Sequence, residues 1–129
     1  MNKYSLKNIA TQVIDLEINA LRTLKKSINK NFDKAVNTIV NCQSKIILCG
    51  VGKSGLIAAK IASTLSSVGS PAFSLSANDC LHGDLGSITK KDVLILISNS
   101  GKSEEIIPII KFANRNKIKL IFLSINDFK

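Results

Sequence analysis

Apolar side chains recur at three- and four-residue steps through the first third of the chain: Leu6, Ile9, Val13, Leu16, Leu21, Leu24, Ile28, Phe32, Val36 and Ile39, with Lys, Asn and Asp between them. That period predicts amphipathic helix over residues 5 to 42, and the Asn29 to Asn31 stretch is where it can divide into two. Such a stripe covers the rest of its own domain or packs against another subunit. From Lys45 the pattern changes. KIILCG is a short apolar run ending in glycine, followed by a Ser/Ala/Leu-rich helical stretch from Ser54 to about Ser67. A Gly-Ser-Pro turn leads to AFSLS, a second strand. ANDCLHGDLGSITKK is polar and turn-rich, a loop with one short helix at most. DVLILIS is a third strand, residues from Ser103 to about Asn114 a helix, and IKLIFLSI a fourth strand.

Strands that are apolar throughout and alternate with helices imply a parallel sheet covered on both faces. Right-handed crossovers make it doubly wound, and ligands of such sheets bind at the carboxyl ends of the strands. The loops of interest are therefore Gly50 to Gly55, Ser76 to Gly86 and Ser98 to Glu105.

Composition narrows the classes. A chain of 129 residues with 45% hydrophobic content is one domain's worth of core-forming material. It has no run of about 18 apolar residues and no signal-peptide core, so a soluble, cytoplasmic protein is expected. The three cysteines form no CxxC pair and there is one histidine, so free, buried thiols and no metal site are expected. The net charge of +9 is scattered rather than clustered, and aromatics are 5% of the chain, which argues against nucleic acid as a partner. Attraction of small anions remains compatible with it.

The stretch CGVGKSG matches two phosphate-binding patterns in part. An NTPase loop needs a glycine five residues before Gly52, and that position is Ile47, inside the strand. A dinucleotide fingerprint needs an acid at the end of the second strand, where the sequence has Ser76 and the first acid is Asp79. A second hydroxyl-rich turn, Ser98-Asn99-Ser100-Gly101-Lys102-Ser103, follows the third strand. Serine hydroxyls and helix-start N–H groups on two neighbouring strand ends suit one small phosphate ester better than a nucleotide. Ser54, Ser98, Ser100 and Ser103, with Asn99, are the candidate phosphate or sugar contacts.

In this order and spacing, GVGKSG, HGDLG and SNSGKSEE resemble the SIS (sugar isomerase) domain of the arabinose-5-phosphate isomerases, from about Asn41 to Asn126. The resemblance implies a three-layer αβα fold with a parallel, doubly wound, flavodoxin-like sheet over residues 43–129, preceded by a helical segment, residues 1–42, that packs on it. It implies interconversion of D-arabinose 5-phosphate and D-ribulose 5-phosphate, a step toward the lipopolysaccharide sugar Kdo, without a cofactor. Aldose–ketose isomerisation needs a base at the carbon, an acid or cation at the carbonyl oxygen, and a grip on the distal phosphate. By resemblance Lys53 is a catalytic lysine, and Glu105 an active-site glutamate that would also complement a helix dipole. Glu104, its neighbour, faces solvent. His82, within HGDLG, is a substrate contact or a structural residue, and Asp84 orients its loop.

The sequence departs from the family pattern in three places. Ser76 stands where relatives often place a metal-binding histidine, so no zinc site is expected. Lys102 replaces a usually acidic or small residue. The family's SIS domain continues past the fourth strand to a second glutamate and a histidine, and most relatives add CBS modules. The expected partners are a small phosphorylated sugar and either a second copy of the chain or a complementing C-terminal fragment, with no membrane. A non-catalytic phosphosugar-binding module and the remnant of a split or decayed isomerase gene are the alternatives. SIS regulators that bind DNA are set aside, since the N-terminus has no helix-turn-helix with its short glycine turn.

Overall fold

The computed structural model describes residues 5–125, so Asn126, the last residue of the family resemblance, lies outside them. Two helices come first, α1 (Leu6–Ser27) and α2 (Lys30–Val40). Then β1 (Ile46–Gly50), α3 (Lys53–Ser67), β2 (Ala72–Ser76), α4 (Ala77–Leu81), a 3-10 turn (Asp84–Ser87), β3 (Val93–Ser98), α5 (Ile106–Arg115) and β4 (Lys119–Ser124) follow.

The helical pattern divides where asparagine interrupts it. Ile28 turns extended after α1, and the Asn29 side chain accepts the N–H of Asn31 at 2.8 Å, which starts α2. Lys25 and Lys26 close the last turn of α1, where positive charge complements the helix dipole. None of the residues of α1 is buried. By compactness the chain divides between Lys34 and Ala35, within α2. Among the described residues no helix is long and apolar enough to cross a membrane.

The four strands are all parallel and lie in the order β2-β1-β3-β4. In the two central strands the period-2 alternation of side chains sorts the core into two layers. Ile47 and Cys49 of β1, with Leu94 and Leu96 of β3, pack against Cys80 of α4 and Ile106, Ile109 and Ala113 of α5. Ile46 and Leu48, with Val93 and Ile95, pack against Ala58 and Ala62 of α3, joined by Ile39 and Cys42. Both faces being covered explains why these two strands read as unbroken apolar runs. The edge strands β2 and β4 are only partly buried.

At the amino ends of the central strands, the carboxylate of Asp92 is fully buried and satisfied. It accepts from Lys45 Nζ at 3.0 Å, from the Thr89 N–H at 2.7 Å and from the Thr89 hydroxyl at 3.1 Å. Burial disfavours its ionised form, but these hydrogen bonds, with others from Ser44 and the Lys45 N–H, outweigh that penalty and hold the carboxyl down at about 2. The Val93 N–H donates to the Lys45 carbonyl at 3.1 Å beside this pair, so charge and backbone fasten the same two strand ends.

Candidate functional site

With β1 between β2 and β3, the chain leaves β1 toward one side and returns on the other. The carboxyl ends of β1 and β3 are thus the switch point of the sheet, where a crevice forms between diverging loops. Both hydroxyl-rich turns open there.

The first turn is built on close approach. A Cβ on Gly50 would sit 2.6 Å from the carbonyl carbon of Ser54, so only glycine lets the first turn of α3 settle on the strand end. Gly52 caps α3 with a φ of 57°, a conformation that glycine adopts without penalty. Ser54 donates its N–H to the Val51 carbonyl at 3.1 Å, and Gly55 donates to Gly52 at 3.0 Å. Lys53 stands exposed at the start of α3, and Ser54 beside it is half-buried.

In the second turn, Ser98 is buried at the end of β3, and its Oγ accepts the Gly101 N–H at 3.0 Å. Ser100 Oγ accepts the Lys102 N–H at 3.2 Å. These two bonds fold the turn back on itself. Helix α5 begins at Ile106, later than the Ser103 start expected from the sequence, with the Ile106 N–H donating to the Ser103 carbonyl at 3.1 Å. Pro108 falls in the first helical turn, where a missing N–H costs nothing. The hydroxyls of Ser54 and Ser103 make no hydrogen bond among the described residues.

Two contiguous cavities lie between the turns. The smaller, about 210 Å³, is lined by Val51, Ser54, Ser98, Ser100 and Ser103 among others. The larger, about 440 Å³, carries Lys53 at its border together with Ile57, Leu123, Ser124 and Ile125. Ser54, Ile97, Ser98 and Asn99 line both. Five of the serine and asparagine candidates therefore converge on one crevice, and Lys53 joins them. Glu105 and His82 do not line either cavity. Glu105 is exposed at the cap position of α5 and its side chain makes no capping bond. His82 is exposed at the end of α4, its N–H donating to the Asp79 carbonyl at 3.0 Å.

The β4 end, Leu123 to Ile125, escaped sequence reasoning. The rule that ligands sit at carboxyl ends of strands applies to β4 as much as to β1 and β3, and it was the available signal. On the other side of β1, a cavity of about 310 Å³ is lined by Gly50, Gly52, Gly55, Leu56 and the strand end Ser74 to Ser76. A dinucleotide ribose would need an acid there, and the lining contains none. Ser76 instead caps α4, accepting the Asp79 N–H at 3.3 Å. Among the described residues no group of three or more His, Cys, Asp or Glu is placed to hold a metal ion.

Comparison with known proteins adds the family. Residues 39–129 match the SIS domain. The chain is 44% identical over 115 residues to the arabinose 5-phosphate isomerase KdsD of Yersinia pestis, covering 89% of this chain and 35% of that protein. It is 43% identical over 122 residues to KdsD of Francisella tularensis, covering 92% and 37% respectively. Among solved structures, c3406 of E. coli CFT073, in complex with a sugar phosphate, superimposes with a TM-score of 0.88 at 35% identity, covering 98% of this chain and 67% of that one. The chain thus spans little more than a third of the length of these curated relatives.

Proposed function

The chain belongs to the SIS domain family, and on that premise we propose that it binds a small phosphorylated sugar in the crevice between β1 and β3 and interconverts its aldose and ketose forms. D-arabinose 5-phosphate and D-ribulose 5-phosphate are the proposed pair. The curated relatives named for the first of these sugars, and the solved relative with its bound sugar phosphate, support that choice. The proposed pathway role is supply of a precursor for lipopolysaccharide, in the cytoplasm.

One observation carries the reading: a small serine-lined cavity shares Ser54, Ile97, Ser98 and Asn99 with a larger one that is bordered by a lysine. The small cavity suits a phosphate monoester. Ser54 and Ser103 would donate hydroxyl hydrogen bonds to its oxygens, and the amino ends of α3 and α5 favour negative charge there. Ser98 would act mainly by holding the turn in which Ser100 and Gly101 sit. The larger cavity then receives the carbon chain. There the Lys53 ammonium would stabilise negative charge developing on the carbonyl oxygen as a proton moves between the adjacent carbons through an enediolate.

Glu105 is the proposed base, in line with the family resemblance. Its exposed position outside both cavities favours a second reading, a module that binds the sugar phosphate without turning it over. Incubating the chain with D-ribulose 5-phosphate and following D-arabinose 5-phosphate by NMR separates the two. Turnover supports the isomerase. Thermal stabilisation by either sugar phosphate with no turnover at high protein concentration supports the binding module, and neither effect removes both readings.

A further inference from the structure

Two thiols that the proposed chemistry does not use lie against each other in the core layer between the sheet and α4. Cys49 is the last residue of β1 before Gly50, and Cys80 sits in α4 two residues before His82. Both are buried, at 0% and 2% exposure, and their sulfurs are 3.9 Å apart. The third cysteine, Cys42, is on the opposite face of the sheet, where its sulfur meets the Lys45 carbonyl at 3.4 Å.

We propose that Cys49 and Cys80 form a reversible dithiol–disulfide pair, oxidised by a peroxide, whose closure shifts the α4–His82 segment and weakens sugar-phosphate binding. The last part of this inference, an effect on sugar-phosphate binding, rests on the function proposed above.

The chemistry balances as a two-electron oxidation. The Cys80 thiolate attacks one peroxide oxygen, giving a sulfenic acid and water once the leaving hydroxide takes a proton. The Cys49 sulfur then displaces that hydroxyl, forming the S–S bond and a second water. In sum, two thiols and one hydrogen peroxide give one disulfide and two waters. The order of the two cysteines follows from access: Cys80 lies in the five-residue α4, whereas Cys49 lies in a central strand paired on both sides. The hydrogen bond to Cys80, with burial, pushes the Cys49 thiol up. The same shared hydrogen bond lowers Cys80, against the opposing effects of burial and of the Asp84 and Asp79 carboxylates.

Access and consequence come from the same element. Helix α4 has five residues, and its last residue Leu81 and the following His82 and Gly83 are all exposed, so a local opening suffices to reach Cys80. A disulfide needs its sulfurs at about 2.05 Å, so the pair must close by nearly 2 Å. Strand β1 is held on both sides, Cys49 pairing in register with Leu75 and with Leu96. The short helix therefore does the moving and carries His82 with it.

The test uses the full chain treated with hydrogen peroxide, then alkylated and mapped by mass spectrometry. The expected result is a loss of 2 Da joining the Cys49 and Cys80 peptides, reversed by dithiothreitol, with Cys42 still alkylated. His82 is the only histidine, so its ring-proton resonances report the segment directly. They should shift on oxidation in the wild-type chain and stay in place in Cys80→Ser and in Cys49→Ala. The D-arabinose 5-phosphate concentration giving half-maximal thermal stabilisation should rise at least fivefold in the oxidised chain. Alkylation of both thiols after peroxide, a disulfide through Cys42, or unmoved His82 resonances would each overturn the pair. A reduced chain that D-arabinose 5-phosphate does not stabilise would instead overturn the proposed function, with the peptide map and the His82 signal still deciding the cysteines.

Discussion

The hydroxyl of Ser98 is directed at the backbone of Gly101, accepting its N–H at 3.0 Å from a position where the serine is almost wholly buried. The same hydroxyl that reads in sequence as a candidate ligand contact braces the turn that carries Ser100 and Ser103, two further candidates. Ser98→Ala should leave the Gly101 N–H without its partner and cost about 1 kcal/mol of stability. Sugar-phosphate affinity should fall more than that figure implies, because Ser100 and Ser103 lose their fixed placement. Urea melts paired with ligand titration check both; an unchanged affinity would return Ser98 to a purely structural role.

Gly50 admits no side chain. Its added Cβ would meet backbone atoms of Ser54 at 2.6 Å and 2.7 Å, and backbone cannot rotate aside as a side-chain end can. Gly50→Ala should destabilise the fold by about 3 kcal/mol. Gly55→Ala, where the nearest atom is the Gly50 carbonyl oxygen at 3.0 Å, should cost less. Thermal denaturation of the two variants side by side measures the difference, and equal values would contradict the close packing of α3 on the strand end.

Lys53 borders the larger cavity and not the smaller. Under the proposed isomerase, Lys53→Gln should lower turnover about a hundredfold or more, the scale of losing a group that stabilises an oxyanion. Thermal stabilisation by D-arabinose 5-phosphate should persist, since the serine turns still hold the phosphate. Full turnover in the variant would remove Lys53 from the chemistry.

Acid should weaken the chain through Asp92. Its folded carboxyl, at about 2, is depressed below the ordinary value of 3.8, so the stabilisation is fully present above about pH 5. It is lost progressively as the pH falls toward 2, and amounts to about 2 kcal/mol. Asp92→Asn should flatten that part of the stability–pH profile and destabilise the protein at pH 7, where Lys45 loses its buried partner. Urea midpoints measured from pH 7 down to pH 2 in both chains give the comparison.

Much of the fold was legible because periodicity carries it. The change from helical spacing to unbroken apolar runs at Lys45 marks the start of the sheet, and the pairs 46/48 and 47/49 sort to opposite faces as a period of two requires. The glycine and serine turns fell where the strand-end rule placed them. What escaped was set by local hydrogen bonding and by tertiary placement. The start of α5 at Ile106 follows from the Ser98 and Ser100 turn bonds. The joining of Leu123 to Ile125 to the larger cavity depends on β4 lying beside β3, which spacing along the chain does not encode. Glu105 and His82, taken from motif resemblance, stand outside the cavities in this conformation.

The Lys45–Asp92 pair sits at the far end of the same two strands that bear the glycine and serine turns. Because side chains alternate, sliding β3 by one residue against β1 would part these charges and send every apolar side chain of the strand to the wrong layer. The pair acts as an alignment pin: it fixes how far each strand reaches, and so the level at which Gly50 meets Ile97 and the serine turn begins. A substitution there would be felt at the mouth of the crevice as a change of aim, although nothing in the crevice touches it.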